Sequence, residues 1–122
     1  MKSSVVLLQS DPGIAQSLTA SLLMSFRSVY VAGSIEELRV SILKHRARVV
    51  ILDIEMASLP EVERLSHEFP GLSVVCTHRL ADEEMWTAAL SAGASDICPT
   101  YDTPSILSAA KRNASRARSV AA

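Results

Sequence analysis

Apolar positions along the chain follow two alternating periods. Short apolar runs at residues 5–8, 29–32, 49–52, 72–76 and 97–98 read as buried strands. Between them, Ile14, Leu18 and Leu22 recur every fourth residue, as on a helix with one buried stripe. Leu38 with Ile42, then Val62, Leu65 and Phe69, then Met85, Ala89 and Leu90, and finally Ile106, Leu107 and Ala110 repeat that pattern four more times. Turn and cap residues stand between the segments. Ser10-Asp11-Pro12 offers a helix cap followed by a proline of the first turn. Ser34 with Glu37 forms a capping-box signal, and Asp82 is a further cap candidate. Pro70-Gly71 and Gly93 end helices, and Thr103-Pro104 opens the last one.

Strand and helix thus alternate five times. Crossovers of this length join parallel strands with right-handed connections. The expected fold is α/β, a doubly wound five-stranded parallel sheet in the order 2-1-3-4-5 with helices on both faces. In that order the first and third strands are neighbours at the switch point, and chemistry gathers at the carboxyl edge. The run RVVILDIEM ends its apolar stretch in a carboxylate, Asp53, which that fold sets on the edge. Residues 9–11, Asp53, Thr77 and Thr100 are expected to share one cleft.

Composition adds bounds. A chain of 122 residues is one domain, and with 48% apolar but only 4% aromatic residues its core is aliphatic. The net charge of −1 exerts no general pull toward nucleic acid or membrane. No run has membrane-spanning length and the first residues lack a signal-peptide layout, which points to the cytosol. Residues 1–112 read as the domain. Residues 113–122, NASRARSVAA, read as a polar basic tail, too short and too poor in aromatics to argue nucleic-acid binding. Cys76 and Cys98 read as buried free thiols, and with the three histidines they show no zinc spacing. The isolated glycines provide no phosphate-binding loop, and no nucleophile-elbow motif occurs. A small α/β enzyme is one reading of the fold, but no catalytic constellation supports it, so the chain is read as a non-enzyme.

With these positions in view, LLQSDP, VVILDIEM, VVCT and AALSAGASDI resemble the receiver domains of bacterial two-component response regulators. The resemblance covers residues 4 to about 112 and implies a flavodoxin-like fold and a role in phosphorelay signalling. It lays Asp53 on the phosphoacceptor and Thr77 on the switch hydroxyl. In that chemistry the carboxylate attacks a phosphoryl group whose charge must be stabilised. The family's acidic pair falls on Gln9 and Ser10, with Asp11 one position later, and its lysine falls on Thr100. The resemblance implies Mg²⁺, yet an amide and a hydroxyl replace the carboxylates that bind it, so metal binding is expected to be weak or absent. Glu55, His78 and Arg79 are the remaining site-lining candidates. Arg79 is expected to reach over Asp53 or pair with Glu55, partly replacing the lysine.

The function that follows is an atypical receiver acting as a protein-interaction module. Its partner would be a histidine kinase, an output domain or a second copy, docked on the face made by the fourth helix, fifth strand and fifth helix. Trp86 becomes a contact candidate if it lies on the outside of that fourth helix. The alternative is a conventional response regulator phosphorylated on Asp53 by a histidine kinase.

Overall fold

The computed structural model describes residues 3–121, with side chains through residue 114. Five strands and five helices alternate: β1 (Ser4–Leu8), α1 (Pro12–Leu22), β2 (Ser28–Ala32), α2 (Ile35–His45), β3 (Val49–Asp53), α3 (Leu59–Glu68), β4 (Ser73–His78), α4 (Glu83–Ser91), β5 (Asp96–Pro99) and α5 (Thr103–Ala121). All strand pairs are parallel, and the sheet order is β2-β1-β3-β4-β5, as the alternation predicts.

The period-two pleat divides the core in two. Val6, Leu8, Val50, Leu52, Val74 and Cys76 face α2, α3 and α4, where they meet Leu38, Ile42, Val62, Leu65 and Ala89. Val5, Leu7, Val49, Ile51 and Val75 face the other way, onto Leu18 and Leu22 of α1 and Ile106, Ala109 and Ala110 of α5. This explains the unbroken apolar runs, since the central strands β1 and β3 have covered faces on both sides. The two cysteines belong to opposite faces, Cys76 to the first and Cys98 to the second. Both are free thiols, and burial pushes Cys76 up to about 12 and Cys98 to about 11.

The caps act where the spacing anticipates them. Asp11 accepts from Gly13 N at 2.8 Å and Ile14 N at 3.2 Å, and Asp82 accepts from Met85 N at 2.9 Å. Ser34 Oγ accepts from Glu37 N, while Glu37 reaches one residue further back than a capping box, to Gly33 N at 2.7 Å. Gly93 closes α4 at φ +104°, where a Cβ would run into Ser66 Oγ, so this turn requires glycine.

Three boundaries differ from the sequence expectation. The fourth strand extends through Thr77 and His78, because both pair along the ladder with Cys98 and Pro99 of β5. Helix α3 starts at Leu59, inside the expected loop 57–60, with Glu61 Oε1 accepting from Ser58 N at 3.3 Å. The break expected after residue 112 is absent. Helix α5 continues to Ala121, and Asn113 and Ala114 are buried. Asn113 is tolerated there because its Nδ2 donates to Ala109 O at 2.7 Å. The side chains of the remaining expected tail, Arg116 and Arg118 among them, lie outside the described residues.

Candidate functional site

Four adjacent strands end together at the carboxyl edge. β1 delivers Gln9 and Ser10, β3 ends in Asp53, β4 carries Thr77 in direct register with Asp53, and Thr100 follows β5. Thr100 is anchored by its N–H, which donates to His78 O at 3.1 Å. Asp53 shares the pleat side of Val49 and Ile51, so it points toward the α1 and α5 side of the edge. Of the residues expected to share one cleft, Gln9, Ser10, Asp11 and Thr100 line it, with Glu55 and Arg79, around a volume of about 510 Å³, whereas Asp53 and Thr77 are fully buried and are not among its lining residues.

Asp53 itself is sealed, at 0% exposure. Its Oδ2 accepts from Ser10 Oγ at 2.7 Å and from Ser10 N at 3.3 Å. Its Oδ1 accepts from Glu55 N at 2.9 Å. A buried carboxylate costs free energy unless its oxygens find donors, and these three bonds supply them. They also tie the β1–α1 loop, the end of β3 and the β3–α3 loop to one group.

Gln9 is 7% exposed, and its orientation follows from its partner. Asp11 N donates to Gln9 Oε1 at 3.2 Å, so the opposite corner of the amide is the NH₂ group. A flipped amide would set N–H against N–H. The Nε2 atom is left without a hydrogen-bond partner, as are Thr77 Oγ1 and Thr100 Oγ1. Thr77, at 0% exposure, is buried beside Asp53 but makes no hydrogen bond to it.

The charged candidates separate into distinct roles. Arg79 Nε donates to Glu55 Oε1 at 2.7 Å, one of the two placements the sequence suggests. That bond, and then the charge of Glu55, hold the Arg79 guanidinium above its ordinary pKa. Asp11 spends Oδ1 on the first turn of α1. His78 does not line the cleft. Its Nδ1 accepts from Leu80 N at 3.0 Å and shapes its own loop. Tyr101, not singled out from the sequence, stands exposed at the rim. Its position directly after Thr100 was the available signal.

These residues do not fit a magnesium ion. Magnesium takes hard, mostly anionic oxygens in near-octahedral geometry. Here the carboxylate of Asp53 is occupied by N–H and O–H donors, Glu55 pairs with Arg79, and Asp11 caps a helix. Among the described residues no three His, Cys, Asp or Glu side chains converge as a metal site.

No family sequence profile matches the chain, and no curated protein does. Solved structures do. A CheY-like protein, TadZ, from Pseudomonas aeruginosa PAO1 is 30% identical over 92% of each chain, with a TM-score of 0.74. The chain belongs to the CheY-like receiver family. Two further solved structures share the fold at lower identity. The N-terminal signal receiver domain of a two-component response regulator from Bacteroides fragilis is 20% identical, with a TM-score of 0.84 over 93% of this chain and 98% of that one. A response regulator from Thermotoga maritima is 19% identical, with a TM-score of 0.84 over 94% and 99%. Among the described residues of this receiver, no helix is long and apolar enough to cross a membrane.

Proposed function

We propose that this receiver is a cytosolic, non-enzymatic docking module of a two-component pathway, not switched by magnesium-dependent phosphorylation of Asp53. The observation that supports this reading is the closed state of Asp53: 0% exposed, with Ser10 Oγ lying 2.7 Å from Oδ2. Nucleophilic attack by a carboxylate needs a free oxygen and positive charge to meet the incoming phosphoryl group. Donors cover both oxygens of Asp53, and the nearby Arg79 is engaged by Glu55.

What such a module offers a partner is surface. Trp86 lies outward on α4 at 48% exposure, and Leu80 and Tyr101 are exposed in the loops that follow β4 and β5. Solvent-facing aromatics of this kind favour a protein partner. A histidine kinase, an output domain or a second copy is the expected class.

The test is a titration with beryllofluoride and millimolar magnesium, followed by the amide NMR signals of Asp53 and Thr77. We expect these signals to stay in place. A saturable, magnesium-dependent shift would instead support the alternative, a conventional regulator phosphorylated on Asp53 by a histidine kinase. Docking itself is read by Trp86→Ala, expected to weaken binding to the cognate kinase or output domain, whereas Asp53→Asn leaves that binding intact.

A further inference from the structure

The net charge of −1 conceals a divided surface. In a parallel sheet each crossover helix begins at the carboxyl edge and ends at the amino edge. Acids collect at the first. Glu36 and Glu37 open α2, Glu61 opens α3, and Glu83 and Glu84 open α4, facing the positive ends of the helix dipoles. Cations collect at the second. The segments that lead into β2 and β3, residues 23–27 and 44–48, carry Arg27, Lys44, Arg46 and Arg48 and no acid. All four are exposed, and none takes part in an ion pair among the described residues. Glu68 and Asp96, the acids at the end of α3 and the start of β5, are already matched, by Arg39 at 2.8 Å and Arg112 at 2.7 Å.

These cations are held in place by their neighbours. Along residues 44–48 exposed and anchored positions alternate. Tyr30 stacks on His45 with ring centroids 3.5 Å apart, and Ala47 is buried, which leaves Lys44, Arg46 and Arg48 outward. Arg48 O accepts from Ser73 N at 2.9 Å, and Arg27 N donates to Ser3 O at 3.0 Å. Both residues are thereby fixed at strand ends with β1 between them, two strand spacings or about 10 Å apart. Arg46 is the one non-glycine residue at positive φ among those described, at 52°. A glycine would close α2 there without strain, so a cation stands where the backbone favours glycine.

Beside the cations are two apolar side chains kept out of the core. Met24 is 81% exposed and Leu23 49%. Their loop is firmly folded: Leu23 N donates to Thr19 O, Ser25 N and Phe26 N both donate to Leu22 O, and Phe26 fills the core. A fixed loop that holds apolar side chains in water next to cations has the makeup of an interfacial membrane contact. Nucleic acid would gain from the cations but not from Leu23 and Met24, and these two segments expose no aromatic ring for stacking on bases.

We propose that the amino edge at β2 and β3 is a docking surface for an anionic membrane. Arg27, Lys44, Arg46 and Arg48 meet the lipid phosphates, and Leu23 and Met24 enter the headgroup layer. Each cation near such a surface strengthens binding roughly fivefold, so four give half-binding at lipid concentrations on the order of 1 mM. The attachment is reversible. It leaves Trp86, near the start of α4 toward the opposite edge, open to a protein partner.

The experiment sediments the full chain with vesicles of phosphatidylcholine alone or mixed with phosphatidylglycerol, and titrates it in parallel with a DNA duplex. We expect binding to the mixed vesicles only, lost in about 0.5 M salt. Arg46→Gly removes a cation and relieves the positive φ. It should weaken vesicle binding roughly fivefold while melting no lower than the unaltered chain. Met24→Ser, at an exposed position, should weaken binding about fivefold. Vesicle binding that is absent, or that either variant leaves unchanged, overturns the proposal. DNA binding tighter than vesicle binding and unmoved by Met24→Ser assigns the surface to nucleic acid and overturns it as well.

Discussion

Removing the Ser10 hydroxyl tests the centre of the site directly. In Ser10→Ala, Asp53 Oδ2 keeps only the longer bond from Ser10 N at 3.3 Å, while Oδ1 keeps Glu55 N at 2.9 Å. The lost bond is 2.7 Å long and ends on a buried carboxylate. Hydrogen bonds to charged groups contribute roughly 1.5–3 kcal/mol net, and Ser10 is exposed enough for water to replace part of that. We therefore expect a loss of about 2 kcal/mol in urea unfolding. For a domain of this size the melting temperature should fall by roughly 8 °C, at about 4 °C per kcal/mol. In an Asp53→Ala background the hydroxyl has no carboxylate to serve. There the same substitution should cost within about 0.5 kcal/mol, as at an ordinary surface position. The double-mutant cycle thus isolates a coupling near 2 kcal/mol. A Ser10→Ala cost below about 0.5 kcal/mol in both backgrounds would refute the bond as a stabilising tie. It would also remove the reason for calling Asp53 closed.

Three further outcomes are expected. Combining Gln9→Asp, Ser10→Asp and Thr100→Lys restores carboxylates and a cation, and should raise magnesium affinity at least about tenfold by calorimetry; unchanged affinity would mean that the cleft's shape, not only its charge, is unsuited to the ion. Gly93→Ala should cost about 1–3 kcal/mol in urea unfolding, since φ +104° and Ser66 Oγ both oppose a Cβ, and a neutral result would show that the α4–β5 turn relaxes freely. The Cys76 thiol is raised from 9.0 to about 12 by burial, so between those values the unfolded chain binds fewer protons than the native one. Its contribution to stability is complete below pH 9 and is lost as pH rises toward 12. Denaturation midpoints at pH 8 and 10.5 should show that decline, and Cys76→Ala should reduce it, the buried Cys98 thiol supplying a further part.

Much of the fold was legible because it rests on local signals. Two-sided burial writes itself as unbroken apolar runs, and a buried helix face as a fourfold spacing. The caps at Asp11, Ser34 and Asp82 depend on residues only two or three positions away. Polar residues that complete long-range pairings misled the reading. His78 looks like a loop residue until β5 pairs with it, and Asn113 looks like a tail until its amide finds Ala109 O. The site was half legible. The order of elements places Gln9, Ser10, Asp53, Thr77 and Thr100 on one edge.

Sequence by itself determined the order of the strands and the neutral residues Gln9, Ser10 and Thr100 at the carboxyl edge, because both follow from residue type and short-range spacing. Only the tertiary structure decided who holds whom. Ser10 and Asp53 are 43 positions apart, and Glu55 and Arg79 are 24 apart. Whether such pairs meet depends on register between strands and on which lone pairs the backbone has already claimed. The same geometry separates Cys76 from Cys98, setting them on opposite sides of the sheet. It also buried the Asp53 carboxylate and left Ser10, which donates to it, exposed at the cleft.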